Sequence, residues 1–490
     1  MPNVRTIFKE HPVLSAVVVG FIFAKLCFTA FTIIAADEAY YWVWGQQFQL
    51  SYFDHPPLNA WIIGLTSLLF GNNVLGMRLP TLITFGGTTY IYWLFARQLV
   101  PQKDTASFLT IIAAFLASPT LFAWTSIVYN DHLLILFTLA SVYCFAKHFG
   151  ALIDDETPDL RWLYGGAILL GLAALSKYNT AFLGVSVALV VLGHPKLWRL
   201  LRQQHIYLAG ILSVCFFLPV LIWNLQNEFA SFQLHLNDRY TDPIFSVFLP
   251  APFYRFILST IVYFGPVLLV PMVMLFLPIK QVSGFGKAAL WIARASIALS
   301  TLYFTLSASR GAVHWYWMAP SYALMLAFMP LLLRNIWLLG LHFVLGAVFA
   351  IYATFNYTVA PVEILMGSRT PEVERVYGWS EFAKEITELK LQYPDAYLAT
   401  THYATAGQLA HTLNSTAIYD LSPRPTHFSF IGRKDLEVGQ SALLLHDKFG
   451  DLELTAHRFE KTTFLTRVEH QRFGHVINAV DIYLAEGFIK

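Results

Sequence analysis

The sequence has few charged residues for its length. Asp, Glu, Lys and Arg make up 13% of its 490 residues, whereas a soluble globular protein carries about 25%. The hydrophobic share is 56% and the mean hydropathy is +0.54, so the chain lacks the polar residues that would cover so large a core in water. This composition excludes a water-soluble, disordered or fibrous protein and indicates a polytopic membrane protein.

Other signals are also missing from the sequence. A formal net charge of +2 gives no electrostatic basis for binding nucleic acid. The three cysteines (Cys27, Cys144 and Cys215) lie in apolar runs and predict no disulfide framework. There is no internal repeat, no zinc-spacing motif and no Gly-rich dinucleotide loop. There is also no Walker loop, and this absence argues against an ATP-driven pump.

Apolar runs dominate the first 358 residues. A helix that crosses a bilayer needs about 20 mostly apolar residues, and eleven candidate runs lie near 13–34, 77–98, 106–123, 131–149, 162–176, 178–193, 206–224, 252–277, 288–306, 316–333 and 337–358. The first run is too long for a removable signal peptide and lacks the small-residue cleavage site. The run 59–70 is shorter and is predicted to be an interfacial or re-entrant segment that does not span the membrane.

The distribution of Lys and Arg sets the predicted orientation. With the N-terminus in the cytoplasm, the cytoplasmic connections hold most of the basic loop residues, whereas the outer connections keep only scattered ones. Counting 59–70 as a span would reverse this bias, and reading 162–193 as one helix would place the basic loop 194–205 outside. We therefore predict eleven spans, with the C-terminus outside the cytoplasm.

The segment 359–490 has the composition of a soluble domain. Helix-like stretches (EFAKEITELKLQ and AGQLAHTLN) alternate with strand-like ones (DAYLATTHY, TAIYDL, ALLLHD and NAVDIYLAE). This alternation predicts a small α/β domain. The predicted organisation is a membrane domain over residues 1–358 and a soluble domain over residues 359–490.

Ionisable residues gather in the outer connections. Asp37 and Glu38 begin the long first outer loop, and the aromatic-rich stretch AYYWVWGQQFQL, which follows them, is predicted to lie in the bilayer interface. Further along this loop, His55 precedes two prolines. Lys177 lies between two helices so short that it is expected below the membrane surface.

The outer connections together hold carboxylates, cations and histidines. Beyond the first loop and Lys177, the residues concerned are Asp131, Arg239, Arg310 and His314. Their convergence on one side of the membrane favours a site for an anionic, phosphate-bearing substrate.

The same residues have structural interpretations, which the sequence leaves open. Asp37 and Asp131 could cap helices, and Glu38 could pack or orient rather than react. Lys177 and Arg239 could reach lipid head groups. The histidine before the two prolines could be a turn residue, and the aromatic stretch is more typical of an interface belt than of a sugar-binding platform.

Several motifs resemble those of the bacterial polytopic glycosyltransferases related to protein O-mannosyltransferases. This group includes the lipid A aminoarabinose transferase and the rhizobial lipopolysaccharide galacturonosyltransferases. The matching segments are ADEAYYWVWGQQFQLSYFDHPPLNAWIIG from residue 36, MRLP at 77–80, SKYN at 176–179, WNLQNEFASFQLHLNDR at 223–239 and VHWYWMAPSYAL at 313–324. Aminoarabinose transferases have a lysine where this sequence has His55, so the sequence looks closer to the galacturonosyltransferase-like branch.

The resemblance implies a GT-C fold of about eleven transmembrane helices, with interfacial helices in the first outer loop and a small C-terminal α/β domain. It also implies transfer of a sugar from a polyprenyl-phosphate carrier to an acceptor outside the cytoplasm. The acceptor is expected to be lipid A or other lipopolysaccharide, another glycan or a protein. The implied location is a bacterial inner membrane, with the active site and the C-terminal domain in the periplasm.

The resemblance also implies roles for individual residues. Asp37 is expected to be the general base of an inverting transfer. The residues expected in catalysis are Asp37, Glu38 and Asp131. Those expected to bind the substrate or its phosphate are His55, Lys177, Arg239 and His314. A divalent ion held through Asp131 is compatible with this chemistry, but no ligand cluster in the sequence requires one.

A secondary transporter or a flippase for lipid-linked sugars is the alternative function. Transporters usually place polar groups near the bilayer midplane and show internal repeats, neither of which is visible here. A flippase is harder to separate from a transferase by sequence, and an assay of sugar transfer in detergent is the discriminating observation.

Overall fold

The computed structural model describes residues 9–235, 251–279, 282–311, 313–367, 375–432 and 435–489. Within these ranges the chain forms two compact units, and each unit is assembled from separate stretches. The first unit comprises residues up to 28, residues 55–58 and residues 80–351. The second comprises residues 29–54, 59–79 and everything from residue 352 onward. The predicted division of the chain at residue 358 stays a prediction.

The described chain before residue 366 is helical. The helices are α1 (Pro12–Phe31), α2 (Ala36–Gly45), α3 (Leu58–Phe70), α4 (Val74–Leu99), α5 (Asp104–Ala117), α6 (Pro119–Trp124), α7 (Asp131–Ile153), α8 (Leu160–Ala174), α9 (Thr180–Gly193), α10 (Gln204–Cys215), α11 (Leu218–Gln226), α12 (Ala230–Gln233), α13 (Ala251–Phe264), α14 (Leu269–Leu275), α15 (Gly284–Ala308), α16 (Ala319–Leu326), α17 (Met329–Leu332), α18 (Ile336–Asn356) and α19 (Val362–Leu365). Short 3₁₀ segments cover Pro101–Lys103, Pro195–Arg202, Pro266–Leu268 and Trp315–Met318.

Each predicted apolar run coincides with one helix or with a pair of helices separated by a short break. By length and composition, α1, α7, α15 and α18 are able to cross a bilayer. Counting three bent pairs as single spans raises this number to seven among the described residues. The prediction of membrane-spanning helices is therefore confirmed, whereas the count of eleven spans stays a prediction.

Prolines account for several of the breaks between helices. Pro119, Pro219 and Pro266 each stand in the first turn of a helix that follows a break. Proline lacks the backbone N–H that a preceding helical turn would need, but it fits the first turn of a new helix. At the first of these breaks, the Ser118 hydroxyl donates a hydrogen bond over 2.7 Å to the carbonyl of Phe264, the last residue of α13 before the third break.

Helix α7 forms the centre of the first unit. It packs against α8 and α15, and 78% of its most apolar stretch is buried against protein, compared with 22% for α18. The approach of α7 to α15 requires Gly150, because a Cβ atom at this position would lie 2.4 Å from the backbone nitrogen of Phe285. The residue at the start of α7 is thereby held on a rigid element.

The second unit contains a mixed sheet. Its elements are α20 (Trp379–Gln392), β1 (Tyr397–Thr400), α21 (Tyr403–Leu413), β2 (Ile418–Asp420), a 3₁₀ turn (His427–Phe430), β3 (Ala442–His446), α22 (Leu452–Ala456), β4 (Phe459–Arg472) and β5 (His475–Phe488). The strand order is β2-β1-β3-β5-β4. The strands β2, β1 and β3 run parallel, whereas β5 is antiparallel to both of its neighbours.

The structure confirms the predicted α/β character of this segment, but strand β4 was missing from the prediction. Polar and charged side chains fill most of β4, and its burial alternates only weakly along the strand. Among the described residues, it lies at the edge of the sheet and pairs only with β5. A strand at the edge buries little side-chain surface, so its sequence carries a weak apolar period.

The interpretation of the aromatic stretch in the first loop as an interface belt is wrong for four of its rings. Tyr40, Tyr41, Trp42 and Trp44 are all buried within protein, because α2 packs on α21 of the same unit. The Tyr40 and Tyr403 ring centroids are 5.0 Å apart. Exposed apolar residues in this region are Phe48 and Leu50, at the end of the aromatic stretch, and Leu65, Leu68, Leu69 and Phe70 on α3.

Candidate active site

A buried ion pair joins two of the predicted site residues in the first unit. Asp131 is the first residue of α7, and Lys177 lies in the turn between α8 and α9. The Lys177 ammonium donates to both carboxylate oxygens of Asp131, over 2.9 Å and 2.8 Å. Only 2% of the Asp131 side chain and 5% of the Lys177 side chain are exposed. The pair therefore holds its geometry with little competition from water.

The sequence allowed Asp131 to be a helix cap and Lys177 to be an anchor to lipid head groups. The structure gives the N-cap position of α7 to Asn130 instead, whose side chain makes no capping hydrogen bond. Lys177 is turned inward onto Asp131 rather than outward. Asp131 and Lys177 therefore form a buried ion pair, and they do not act as a helix cap and a lipid anchor.

An apolar cavity of about 560 Å³ adjoins this pair. Its walls are mostly apolar and include Phe182 from α9, Phe217 from the turn between α10 and α11, and Tyr303 from α15. Lys177 and His55 also line this cavity, as do Tyr178, Asn179 and His235. The cavity can thus accommodate a molecule with a long apolar part and a polar, negatively charged end.

Hydrogen bonds and ring contacts order the polar end of the cavity. The Tyr178 and Ser231 hydroxyls are hydrogen-bonded over 2.7 Å. The His235 ring lies 4.8 Å from the ring of Tyr178 and 6.1 Å from the ring of His55. His55 and Lys177 were predicted from segments 122 residues apart, and the structure brings both of them to this cavity.

His314 lies next to the same group of residues. Its ring stacks on Tyr316 at 5.3 Å, and the Lys177 ammonium is 5.0 Å from the centre of the Tyr316 ring. Trp317, which follows in the same 3₁₀ segment, lines the cavity. Arg239, the other predicted phosphate ligand, lies outside the described residues.

The donor set around Asp131 does not favour a metal ion. Both of its carboxylate oxygens accept hydrogen bonds from Lys177, so a metal ion bound there would lie beside a positively charged ammonium group. Within the described ranges, no three or more His, Cys, Asp or Glu residues are grouped to hold one. We therefore assign no chemical step at Asp131 to a metal ion.

Sequence reasoning overlooked a second lysine in the first unit. Lys25 is 1% exposed in the middle of α1. Its ammonium donates to the Thr125 carbonyl, the Thr125 hydroxyl and the Ser126 hydroxyl over 2.7, 2.9 and 2.8 Å. The available signal was an ionisable residue inside an apolar run, which is expensive and therefore by default functional or structurally required.

The acidic residues of the first loop belong to the second unit. Glu38 receives two hydrogen bonds from the buried Arg78 guanidinium, Nε to Oε1 over 2.8 Å and Nη2 to Oε2 over 2.5 Å. Glu38 Oε2 also accepts from the Ala35 backbone N–H, which closes the start of α2. Both side chains of the pair are fully buried. The Glu38 carboxylate oxygens are therefore engaged in structural hydrogen bonds, and Asp37 is the candidate base of this loop.

Arg78 also forms hydrogen bonds with the C-terminal end of α1. Its guanidinium also donates to the backbone carbonyls of Thr29, Thr32 and Ile33 over 3.0 to 3.1 Å. These carbonyls lie at the C-terminal end of α1 and just beyond it, where the helix leaves them without intrahelical partners. The MRLP motif thus supplies the cation that closes the helix end.

Asp37 lies beside Glu38 but in a different environment. It is half-buried in the first turn of α2, and the N-cap of this helix is Ala35, so Asp37 is not the capping residue. Burial, together with the negative charges of Asp37 and Asp54, raises the pKa of Tyr403. The Asp37 carboxylate is therefore electrostatically coupled to the first residue of α21.

The comparisons with known proteins agree with this fold. Residues 54–223 match the family model described as dolichyl-phosphate-mannose-protein mannosyltransferase. The chain is 24% identical over 433 residues to the lipid A galacturonosyltransferase RgtD of Rhizobium johnstonii, which covers 83% of this chain and 84% of that protein.

Solved structures of ArnT from Cupriavidus metallidurans have the same fold. The structure bound to undecaprenyl phosphate is 15% identical, with a TM-score of 0.62 over 97% of this chain and 98% of that one. The apo structure is also 15% identical, with a TM-score of 0.59 over 96% of this chain and 97% of that one. The predicted GT-C fold is confirmed.

Replacing Glu38 separates its structural role from a chemical one. In Glu38→Gln, the Arg78 guanidinium would be buried without its anionic partner, which typically costs about 3–5 kcal/mol of stability. We expect a lower melting temperature in detergent and normal turnover per folded molecule. The matched control is Glu388→Gln on the exposed face of α20, beside Lys384. An unchanged melting temperature with lost turnover would instead assign Glu38 to the chemistry.

Proposed function

We propose that this chain, a membrane glycosyltransferase similar to the protein O-mannosyltransferases and to the galacturonosyltransferase RgtD, transfers a sugar from a polyprenyl-phosphate carrier to a hydroxyl group of lipid A or a similar glycolipid. The observation that carries the proposal is the apolar cavity with Lys177 at its polar end. The apolar lining suits a polyprenyl chain, and the ammonium suits the phosphate. The name of the rhizobial relative supports lipid A as the acceptor.

The buried charges of the first unit favour an anionic substrate. Among the described buried residues of this unit, the charged ones are Lys25, Lys177 and Asp131, two cations and one anion. A buried charge without a counter-charge is costly. Of these three residues, Lys177 lines the cavity, so a carrier phosphate bound there would meet an ammonium group.

Lys177 is suited to stabilise the leaving phosphate. An ammonium group has three N–H donors, and Asp131 accepts from two of them. The third is available for a phosphate oxygen, and a charge-assisted hydrogen bond strengthens as negative charge develops there. Asp131 in turn fixes the direction of the ammonium. Asp131 therefore acts as a positioning residue and Lys177 as the phosphate ligand.

Asp37 is suited to activate the acceptor. In a single inverting displacement, the acceptor oxygen forms a bond to the anomeric carbon while the bond from that carbon to the phosphate oxygen breaks. The acceptor proton passes to the Asp37 carboxylate, and the phosphate leaves with the bonding electron pair. A carboxylate in the first turn of a helix can accept this proton as a general base.

We predict that Asp37→Asn abolishes transfer without unfolding the protein. Asparagine keeps the shape of the side chain but cannot take the acceptor proton, and loss of a general base typically lowers a rate by about 10²–10⁴-fold. The measurement is sugar transfer from a purified polyprenyl-phosphate donor in detergent, without a membrane gradient. Asp395→Asn, which alters an exposed loop, is the matched control. Turnover of Asp37→Asn within a few-fold of wild type would contradict the proposed role. No transfer by the wild type in detergent, together with movement of the donor across the bilayer of reconstituted vesicles, would indicate a flippase.

We predict that Lys177 is required to bind the carrier phosphate. Lys177→Met alone leaves Asp131 buried and unpaired, so the informative variant is the double change Lys177→Met with Asp131→Asn. We expect it to fold and to bind sugar-free polyprenyl phosphate at least ten times more weakly than wild type in a detergent binding assay. Lys147→Met, on the same helix as Asp131, is the control. Unchanged binding by the double variant would remove Lys177 from the site.

The two ends of α7 support the proposed orientation in a bacterial inner membrane. Asp131 and Lys177 meet at one end, whereas Asp155 pairs with Lys196 and Arg199 beyond the other. Basic residues concentrate in cytoplasmic connections. The end with the basic cluster is therefore proposed to be cytoplasmic, and the ion pair and the C-terminal segment are proposed to face the periplasm.

Fusion reporters test this orientation. We expect a reporter that is active only in the cytoplasm to be silent when fused after Lys490 and active when inserted after Glu156. A reporter that is active only outside the cytoplasm should give the opposite pattern. Cytoplasmic activity at Lys490 would overturn the proposed topology.

A further inference from the structure

The parallel part of the sheet in the second unit has a topological switch point. From β1 the chain passes through α21 to β2 on one side, and it then returns to β3 on the other side of β1. In open parallel sheets, ligands bind outside the carboxyl ends of the strands at such a point. Here these ends are the residues that follow Thr400 in β1 and His446 in β3.

The carboxylates at these strand ends are already saturated. Asp447 accepts hydrogen bonds from the Thr405 hydroxyl over 2.6 Å and from two backbone N–H groups, those of Phe449 and Gly450, over 3.1 Å each. Asp420, at the end of β2, accepts from the hydroxyl and the backbone N–H of Ser422 and from the Thr426 hydroxyl. These acidic groups hold the loops in place and have little capacity left for a ligand.

The two arginines at the same edge are not saturated. Arg375 stacks its guanidinium on Phe449 at 3.8 Å, and its buried Nε atom has no hydrogen-bond partner in the described part of the chain. Arg424 lies 3.8 Å from the Asp54 carboxylate, which is too far for a hydrogen bond. The Arg375 Nε–H thus has no acceptor among the described residues, and Arg424 forms an ion pair with Asp54 that leaves its N–H groups without a hydrogen bond to that carboxylate.

Both arginines act on the residues that join β1 to α21. Burial and the positive charge of Arg375 lower the pKa of His402 to about 4, and the charge of Arg424 acts in the same direction. Arg424 lies 5.4 Å from the Tyr403 ring. Tyr403 also responds to the Asp37 charge. The charges of Arg375, Arg424 and Asp37 therefore all act on the short segment that contains His402 and Tyr403.

We propose that Arg375 and Arg424 form an oxyanion site that holds a phosphate or carboxylate group of the acceptor at the strand switch point. The proposal rests on the transferase function argued above. Guanidinium groups bind such oxyanions through paired N–H donors. A glycolipid held by its anionic group would present a neighbouring hydroxyl to the carboxylate that takes its proton.

Lipid A with and without its phosphate groups tests the site. We expect the wild-type protein in detergent to bind phosphorylated lipid A about ten times more tightly than chemically dephosphorylated lipid A. The double variant Arg375→Gln with Arg424→Gln should bind both forms equally, while its binding of sugar-free polyprenyl phosphate stays at the wild-type level. Arg467→Gln is the matched control, because Arg467 lies on the β4–β5 ribbon and pairs there with Asp481.

Inorganic phosphate separates the anionic group itself from the glycolipid that carries it. Competition by inorganic phosphate against lipid A in the wild type, but not in the double variant, would support a site for the anion alone. A preference for phosphorylated lipid A that persists without such competition would support a site for the lipid-linked group. A preference retained by the double variant, or absent from the wild type, would overturn the proposal.

The transfer assay distinguishes this proposal from the proposed function. An arginine-dependent preference in a protein that transfers no sugar would overturn the function and leave the site. Sugar transfer with an acceptor KM unchanged in the double variant would overturn the site and leave the function.

Discussion

The buried pair of Asp131 and Lys177 is the constraint on which the first unit depends. An isolated charge in an apolar interior is expensive, so each residue requires the other, and removing one leaves its partner uncompensated. The pair fixes the start of α7 against the turn between α8 and α9. That turn also forms the polar end of the apolar cavity. A single interaction therefore stabilises the helices and orients the ammonium group toward the proposed substrate.

Much of this arrangement could be predicted from the sequence. The apolar runs predicted the helices, because a helix among lipids has to be apolar over a known length. The position of Lys177 between two short runs predicted a residue below the membrane surface. The sequence could not predict its partner, because a side chain that caps a helix and one that pairs with a buried cation look the same in the chain. Asp131 had both interpretations until the structure placed the ammonium 2.8 Å away.

The errors have a common physical cause. An aromatic, amphipathic stretch such as the one at Tyr40 to Trp44 is equally suited to a lipid interface and to another protein surface. The choice depended on α21, which lies far along the chain. Strand β4 was missed because a strand at the edge of a sheet needs only one partner and few apolar side chains. Lys25 was overlooked because its partners, Thr125 and Ser126, are uncharged. The sequence therefore offers no carboxylate that would indicate a buried cation opposite it.

The second unit is built from segments that lie far apart in the chain, residues 29–79 without 55–58 and residues from 352 onward, and are therefore synthesised at different times. The Tyr40 hydroxyl accepts a hydrogen bond from the backbone of His427, 387 residues later. At a translation rate of about 5–20 residues per second, roughly 20–80 s pass between the synthesis of Tyr40 on α2 and the synthesis of His427. During that interval the exposed rings of a nascent chain need cover from the lipid surface or a chaperone. Biogenesis, rather than the stability of the finished fold, is thus where this interleaved architecture is most vulnerable to truncation.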